Sequence, residues 1–202
     1  MSPRTEESNQ RIRQEQRKKI LDASVSIFAR KGFSATKMAD IATAADISYG
    51  LLYHYFTNKE HIFVTLVQDD LEATARLMQN ALKQPGTPWD RLHWLISQIL
   101  QGIQHDPESF MVILQAFTNE AIPQELKGVI YRSIQNSAGV LTQLILDGQA
   151  AGQIVADDPL RLVRVLLACI QGLATEAIFH EYVSAVRFPD VNAESVLRIL
   201  KS

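Results

Sequence analysis

Along almost the whole chain apolar residues recur three and four positions apart, and nowhere do they alternate. No other feature constrains the fold as much. A period near 3.6 lays one stripe of a helix against a core, whereas a half-buried strand needs a period of two. No run of alternating β-branched and aromatic residues closed by an Asn-Gly or Asp-Gly turn is present. The chain is therefore expected to be all-α, with about nine helices.

Helix boundaries follow from punctuation between the stripes. Ile20, Leu21, Val25, Ile27 and Phe28 form the first stripe, and Gly32 should end that helix by taking a positive φ, with Phe33 folding back as its hydrophobic contact. Thr36 reads as the N-cap of a second helix carrying Met38, Ile41, Ala42 and Ala45. After the break Ala45-Asp46-Ile47-Ser48, Leu52, Tyr55 and Phe56 mark a third short helix. Thr57 or Asn58 then caps a long helix to about Lys83. Gln84 to Pro88 is the clearest breaker. Beyond it, helices are expected at 88–105, 107–120, 123–151, 158–182 and 191–201, separated by Asp106-Pro107, Ile122-Pro123, Gly152 to Pro159 and Phe188-Pro189.

Three short helices with a tight turn between the second and third have the geometry of a helix-turn-helix, here spanning about 37–56. Small Ala42, Ala44 and Ala45 permit close approach at the turn. Asp46 sits where a left-handed residue is needed, Ile47 plugs the core, and Ser48 caps the third helix. With Leu52 and Phe56 turned inward, Tyr49, Gly50, Tyr53 and His54 face outward. Gly50 would allow close backbone approach in a major groove, and the hydroxyls and imidazole could reach phosphates or base edges. Thr36 and Lys37 open the second helix and Lys59 the fourth, where backbone N–H groups, the helix dipole and lysine charge favour a phosphate.

Gly32-Phe33-Ser34-Ala35-Thr36, Asp40-Ile41-Ala42, Ala45-Asp46-Ile47-Ser48, Gly50, Leu52-Tyr53-His54-Tyr55-Phe56 and Lys59-Glu60 together resemble the TetR family of bacterial regulators, over about residues 14–64. Three positions depart from the family pattern: Asp46 stands for the usual turn glycine, Tyr55 for a frequent histidine and Ile62 for leucine. The resemblance implies phosphate contacts from Thr36, Lys37, Tyr53, Tyr55 and Lys59. It also implies that Ser48, Tyr49, Gly50, Leu51 and His54 face bases or the backbone beside them.

The same resemblance implies two domains, a DNA-binding head over 1–60 and an effector-binding and dimerisation domain over 61–202. The last two helices, about 158–182 and 191–201, would pair across a two-fold axis through Leu160, Val163, Leu166, Leu167, Ile170, Leu173, Ala174, Ala177, Ile178, Val196, Leu197 and Leu200. Candidate pocket residues are Met78, Trp94, Ile99, Ile103, Phe110, Met111, Leu114, Phe117, Tyr131, Ile134 and Leu141, with His93, Gln115, Asn119 and Glu120 as polar orienters. A small hydrophobic or aromatic effector is expected. The implied role is a repressor released from its operator by that effector.

Charge agrees in its distribution rather than its total. The net charge is −2, yet residues 1–60 hold ten Lys/Arg against seven Asp/Glu, leaving the remainder acidic. A single cysteine, Cys169, excludes an internal disulfide and a cysteine-rich zinc site, and fits a reducing cytoplasm. The charged first segment lacks the apolar run of a signal peptide, and residues 160–173 are too short and too charged to span a bilayer, so a cytoplasmic location is expected. No GxSxG, GxxxxGK[ST], HExxH or dinucleotide fingerprint is present, so no enzyme and no cofactor are expected. The histidines show no i, i+4 pairing, and Glu176, His180 and Glu181 read as solvated charges rather than metal ligands. An architectural DNA-binding protein without an effector stays open as the alternative.

Overall fold

A computed structural model describes residues 6–122, 124–179 and 190–201, with only the backbone given for residues 7, 118 and 179. The described elements are helical: α1 (Glu6–Ala35), α2 (Met38–Ala44), α3 (Tyr49–Tyr55), α4 (Lys59–Lys83), α5 (Pro88–His105), α6 (Pro107–Thr118), α7 (Gln124–Ala150), α8 (Pro159–Phe179), α9 (Ala193–Leu197) and a 3₁₀ turn, Arg198–Leu200. The all-α expectation holds, and most boundaries lie within two residues of those read from the sequence.

Local chemistry explains where the helices begin. Ser48 accepts from the Leu51 N–H, Asn58 from His61, Thr87 from Asp90 and Asp106 from Ser109, each satisfying a donor that the first turn leaves unpaired. Pro88 and Pro107 occupy first-turn positions where no N–H is needed. Gly32 interrupts α1 with φ 77°, and Asp46 takes the left-handed conformation expected of it, φ 52°. The second helix starts differently from expectation. Its cap position is Lys37, whose N–H is held by the Asp40 carboxylate, while Thr36 is buried and turns its hydroxyl back to the Gly32 carbonyl.

Two apolar clusters organise the molecule. The first joins Ile20, Phe28, Phe33, Ile41, Leu52, Phe56, Ile62 and Phe63, and continues through Val112 and Ala116 of α6 to Leu126 and Ile130 of α7. Phe28 and Phe33 each meet Phe63 edge-on, at 5.1 and 4.9 Å between centroids. Full burial of one such ring is worth roughly 2–3 kcal/mol. The head core thus does not stop near residue 60, because α6 closes it from the body side. The second cluster runs through α4, α5, α7, α8 and the C-terminal segment.

That C-terminal segment corrects the sequence reading. In place of a helix over 191–201, α9 is five residues long and tightens into the 3₁₀ turn, after which Lys201 bridges Ile154 and the Leu200 carbonyl accepts from Val155. Val196, Leu197 and Leu200 are buried against this chain's own core, as are Val163, Leu166, Ile170 and Ala174 of α8. Leu173 and Ala177 pack beside them. None of the buried residues is available to a second copy. Leu160, Val165 and Leu167 are the large apolar side chains that α8 leaves exposed. Residues 180–182 of the expected helix lie outside the described residues, as do His180 and Glu181.

Candidate nucleic-acid interface

The exposed face of α3 is built by what its other face must do. Leu52 and Phe56 are fully buried, and Ile47 packs beside them. This fixes the helix rotation and leaves Tyr49, Gly50, Leu51, Tyr53 and His54 in solvent. Tyr49 and Tyr53, 53 % and 44 % exposed, stand one turn apart as an edge-on pair with ring centroids 4.9 Å apart. Their hydroxyl oxygens are 3.1 Å apart, and this hydrogen bond raises the Tyr53 pKa by favouring the neutral phenol. One proton of the two is used within the pair, so the pair offers a single outward O–H donor. A Cβ at Gly50 would meet nothing within 4 Å, so this glycine leaves a gap in the exposed face through which a partner's backbone could come close. The His54 ring stands edge-on to Tyr55, which is itself half-buried beside the head core.

Not all expected phosphate contacts are free. The Lys59 ammonium donates to the carbonyls of Phe33, Ser34 and Thr36 at 2.8, 3.0 and 3.0 Å and lies over the Phe33 ring. All three of its protons are occupied. From the start of α4 it ties down the carbonyls at the C-terminal end of α1 and just beyond it, and so fastens the two helices. Thr36 is buried with its hydroxyl spent on Gly32, so it too is removed from the phosphate set. Lys37 is exposed at the start of α2. Beside it, the Lys31 ammonium holds the Asp40 carboxylate at 2.9 Å and lowers its pKa, with the Lys37 N–H contributing next. Ser48 uses its hydroxyl as a cap but stays exposed.

Two expected pocket orienters instead join body to head. Gln115 of α6 accepts from the Phe33 N–H and donates to the Phe28 carbonyl, gripping α1 on both sides of Gly32. Asn119 donates to the Ser34 hydroxyl, and Glu108 takes Arg30 and Ser26. Spacing within α6 gave no sign of this, because the partners lie about eighty residues away.

A cleft of about 960 Å³ opens between α4 and α7. Leu71, Met78, Leu82, Val129 and Val140 supply its apolar wall, and Glu72, Gln79, Arg132 and Asn136 its polar groups. Of the expected pocket residues only Met78 lines it. Ile103 and Leu141 are buried in the body core, with Trp94, Ile99 and Phe110 packed against it. Met111 and Leu114 are half-buried, while Phe117, Tyr131 and Ile134 are exposed. Residues at i, i+3 and i+4 on α4 (Gln68, Leu71, Ala75, Met78, Gln79, Leu82) could have signalled a shared face, but not which helix it opposes. His93 is half-buried and Glu120 exposed, and neither lines the cleft. Among the described residues no group of three or more His, Cys, Asp and Glu could hold a metal, and no helix is long and apolar enough to cross a membrane.

Comparison with known proteins adds four findings. The profile of "Bacterial regulatory proteins, tetR family" matches residues 20–66, the segment that builds the head. Over 103 residues the chain is 32 % identical to the HTH-type transcriptional repressor KstR of Mycolicibacterium smegmatis, a match covering 51 % of this chain and half of that relative's length. Over 157 residues it is 31 % identical to the HTH-type transcriptional regulator BetI of Rhizobium meliloti, covering 78 % of this chain and 75 % of that one. Among solved structures, the ketosteroid transcriptional regulator KstR2 of Mycobacterium tuberculosis superposes with TM-score 0.71 over 92 % of this chain and 95 % of that one, at 19 % identity, a likeness of fold.

Proposed function

The chain belongs to the TetR family of bacterial regulatory proteins, and from that premise we propose that it is a sequence-specific DNA-binding transcriptional regulator: a homodimeric repressor released from its operator by a small-molecule effector. One observation carries the reading. The packing of Leu52 and Phe56 obliges α3 to present Tyr49, Gly50, Tyr53 and His54 together on an exposed edge of the head. That edge is a donor-bearing surface on a helix slim enough for a major groove.

In the proposed division of labour the head reads DNA and the chain beyond about residue 60 senses and dimerises. Leu160 and Leu167, two turns apart on one side of α8, support pairing of two copies there, and two heads would then address half-sites about 34 Å apart. The α4–α7 cleft supports a partly apolar effector with a polar end, since aliphatic side chains and Arg132 line it together. KstR2, named a ketosteroid regulator, is consistent with a hydrophobic ligand of that kind. Because α4 reaches from the cleft to the Lys59 cap on α1, a ligand that prefers one placement of α4 would shift the head with it, and couplings of about 1–3 kcal/mol are usual for such switches.

The test is capture of sheared genomic DNA by the purified protein, beside a Tyr53→Ala/His54→Ala variant, followed by sequencing. Enrichment of a few near-palindromic sites by the wild type alone supports the reading. Equal, unselective capture by both proteins would overturn it in favour of an architectural DNA-binding protein.

A further inference from the structure

The first helix is longer than its core requires. Ile20 is the first residue of α1 buried in the head, yet the helix begins at Glu6. The fourteen-residue overhang, about 21 Å at 1.5 Å per residue, leaves nearly every side chain in solvent. A helix of that length gains little from its own hydrogen bonds in water.

The overhang carries two different stripes. Arg11, Glu15, Lys18 and Asp22 recur at helical spacing on one side and neutralise each other, with Arg11 paired to Glu15 at 3.5 Å and Lys18 to Asp22 at 2.6 Å. On the other side lies the line Arg13, Arg17, Ile20, Ser24 and Phe28, with the same spacing. This is the buried line of the head continued outward as two arginines. Neither arginine makes an ion pair among the described residues. The next positions outward on that line are Gln10 and Glu6, so the cationic stretch is two turns long.

Its position is fixed by one contact. The Arg17 guanidinium lies 5.4 Å from the centroid of the Phe56 ring, and Phe56 is the C-cap of α3. The overhang thus departs from the head at the C-terminal end of the recognition helix. Seven residues of α3 span about 10 Å, close to the width of a major groove of about 12 Å. Chain flanking either end of a helix seated there lies within side-chain reach of a phosphate strand. A cationic line, unpaired and continuous with the head, complements that strand in charge.

We infer that the overhanging turns of α1 form a second DNA-contacting element, in which Arg13 and Arg17 hold backbone phosphates beside the segment read by α3. The inference rests on the DNA-binding reading above and extends it to a site outside the helix-turn-helix. Phosphate contacts of this kind carry no sequence information but fix register and deepen the salt dependence.

The full-length protein and an operator recovered by genomic capture provide the test, with affinity measured across a series of salt concentrations. The variant pair is Arg13→Gln and Arg13→Gln/Arg17→Gln. The control is Arg11→Gln/Lys18→Gln, which removes the same charge from the opposite side. Arg13 is exposed, so its replacement leaves the fold intact. Arg17 packs on Phe56, and its variant is accompanied by a thermal melt. With two copies on each operator, the slope of log K against log salt should fall by about 1.8 for Arg13→Gln and about 3.6 for the pair, with site preference retained, while the control keeps the wild-type slope. A wild-type slope in Arg13→Gln, or an equal loss in the control, overturns the inference. Failure of the wild type to select any site would instead overturn the function on which it rests.

Discussion

Replacing Asp70 by Asn should stabilise this protein near neutral pH and do so less as the solution is acidified. Asp70 lies on α4, and its carboxyl pKa is pushed up to about 6, first by burial and then by the negative charge of Asp106, the cap of α6. A folded-state value above the unfolded one means that the folded protein binds the extra proton. That stabilisation is fully present below pH 3.8 and is lost as pH rises through about 6. Near pH 7.5 the ionised carboxylate is then held in the fold at a cost of about 3 kcal/mol, from about 1.36 kcal/mol per pKa unit. Near pH 5 proton uptake recovers about 1–2 kcal/mol of this. The Asn variant should therefore unfold at higher urea concentration near pH 7.5, with its advantage over the wild type smaller by about 1–2 kcal/mol near pH 5. Protein concentration is held fixed, because any pairing of copies would add to apparent stability. Asp40 and Asp90, whose values are lowered, stay ionised in this window, and groups common to both proteins cancel in the difference. An advantage that does not change with pH would refute the argument.

Two further outcomes follow from the head. Lys59→Met should cost about 2–4 kcal/mol in urea unfolding, since three carbonyls lose a charged donor, yet leave the salt slope of operator binding unchanged; a slope reduced by about 1.8, one phosphate for each of two copies, would put the ammonium on a phosphate after all. Tyr49→Phe and Tyr53→Phe should each weaken operator binding by less than about threefold, because the remaining hydroxyl keeps one proton to point outward, whereas the double variant loses the donor and should weaken binding by roughly tenfold. Additive losses in the double-mutant cycle would show two independent contacts.

Much of the head was legible in the sequence because its signals are local. Ser48 and Asn58 each bond an N–H three residues on, and Gly32 and Asp46 answer to backbone sterics at single positions. The inward turn of Leu52 and Phe56 follows from helical spacing alone, and with it the outward set on α3. The overhang of α1 escaped the sequence reading because an exposed polar helix carries no apolar period to mark it.

What the sequence by itself determined, then, was most of the helices, the Ser48 and Asn58 caps and the exposed edge of α3, all governed by interactions within about one helical turn. Only the tertiary structure decided which polar groups were already taken. Lys59 meets Phe33 across 26 residues and Gln115 meets Phe28 across 87, so neither could be told from a phosphate contact or a pocket residue until the helices were packed. The C-terminal segment makes the same point. Val196, Leu197 and Leu200 have the spacing of an interface helix, but the pairing of Lys201 with Ile154 draws them into the chain's own core. An apolar stripe specifies that a surface will be covered, and the rest of the fold specifies by what.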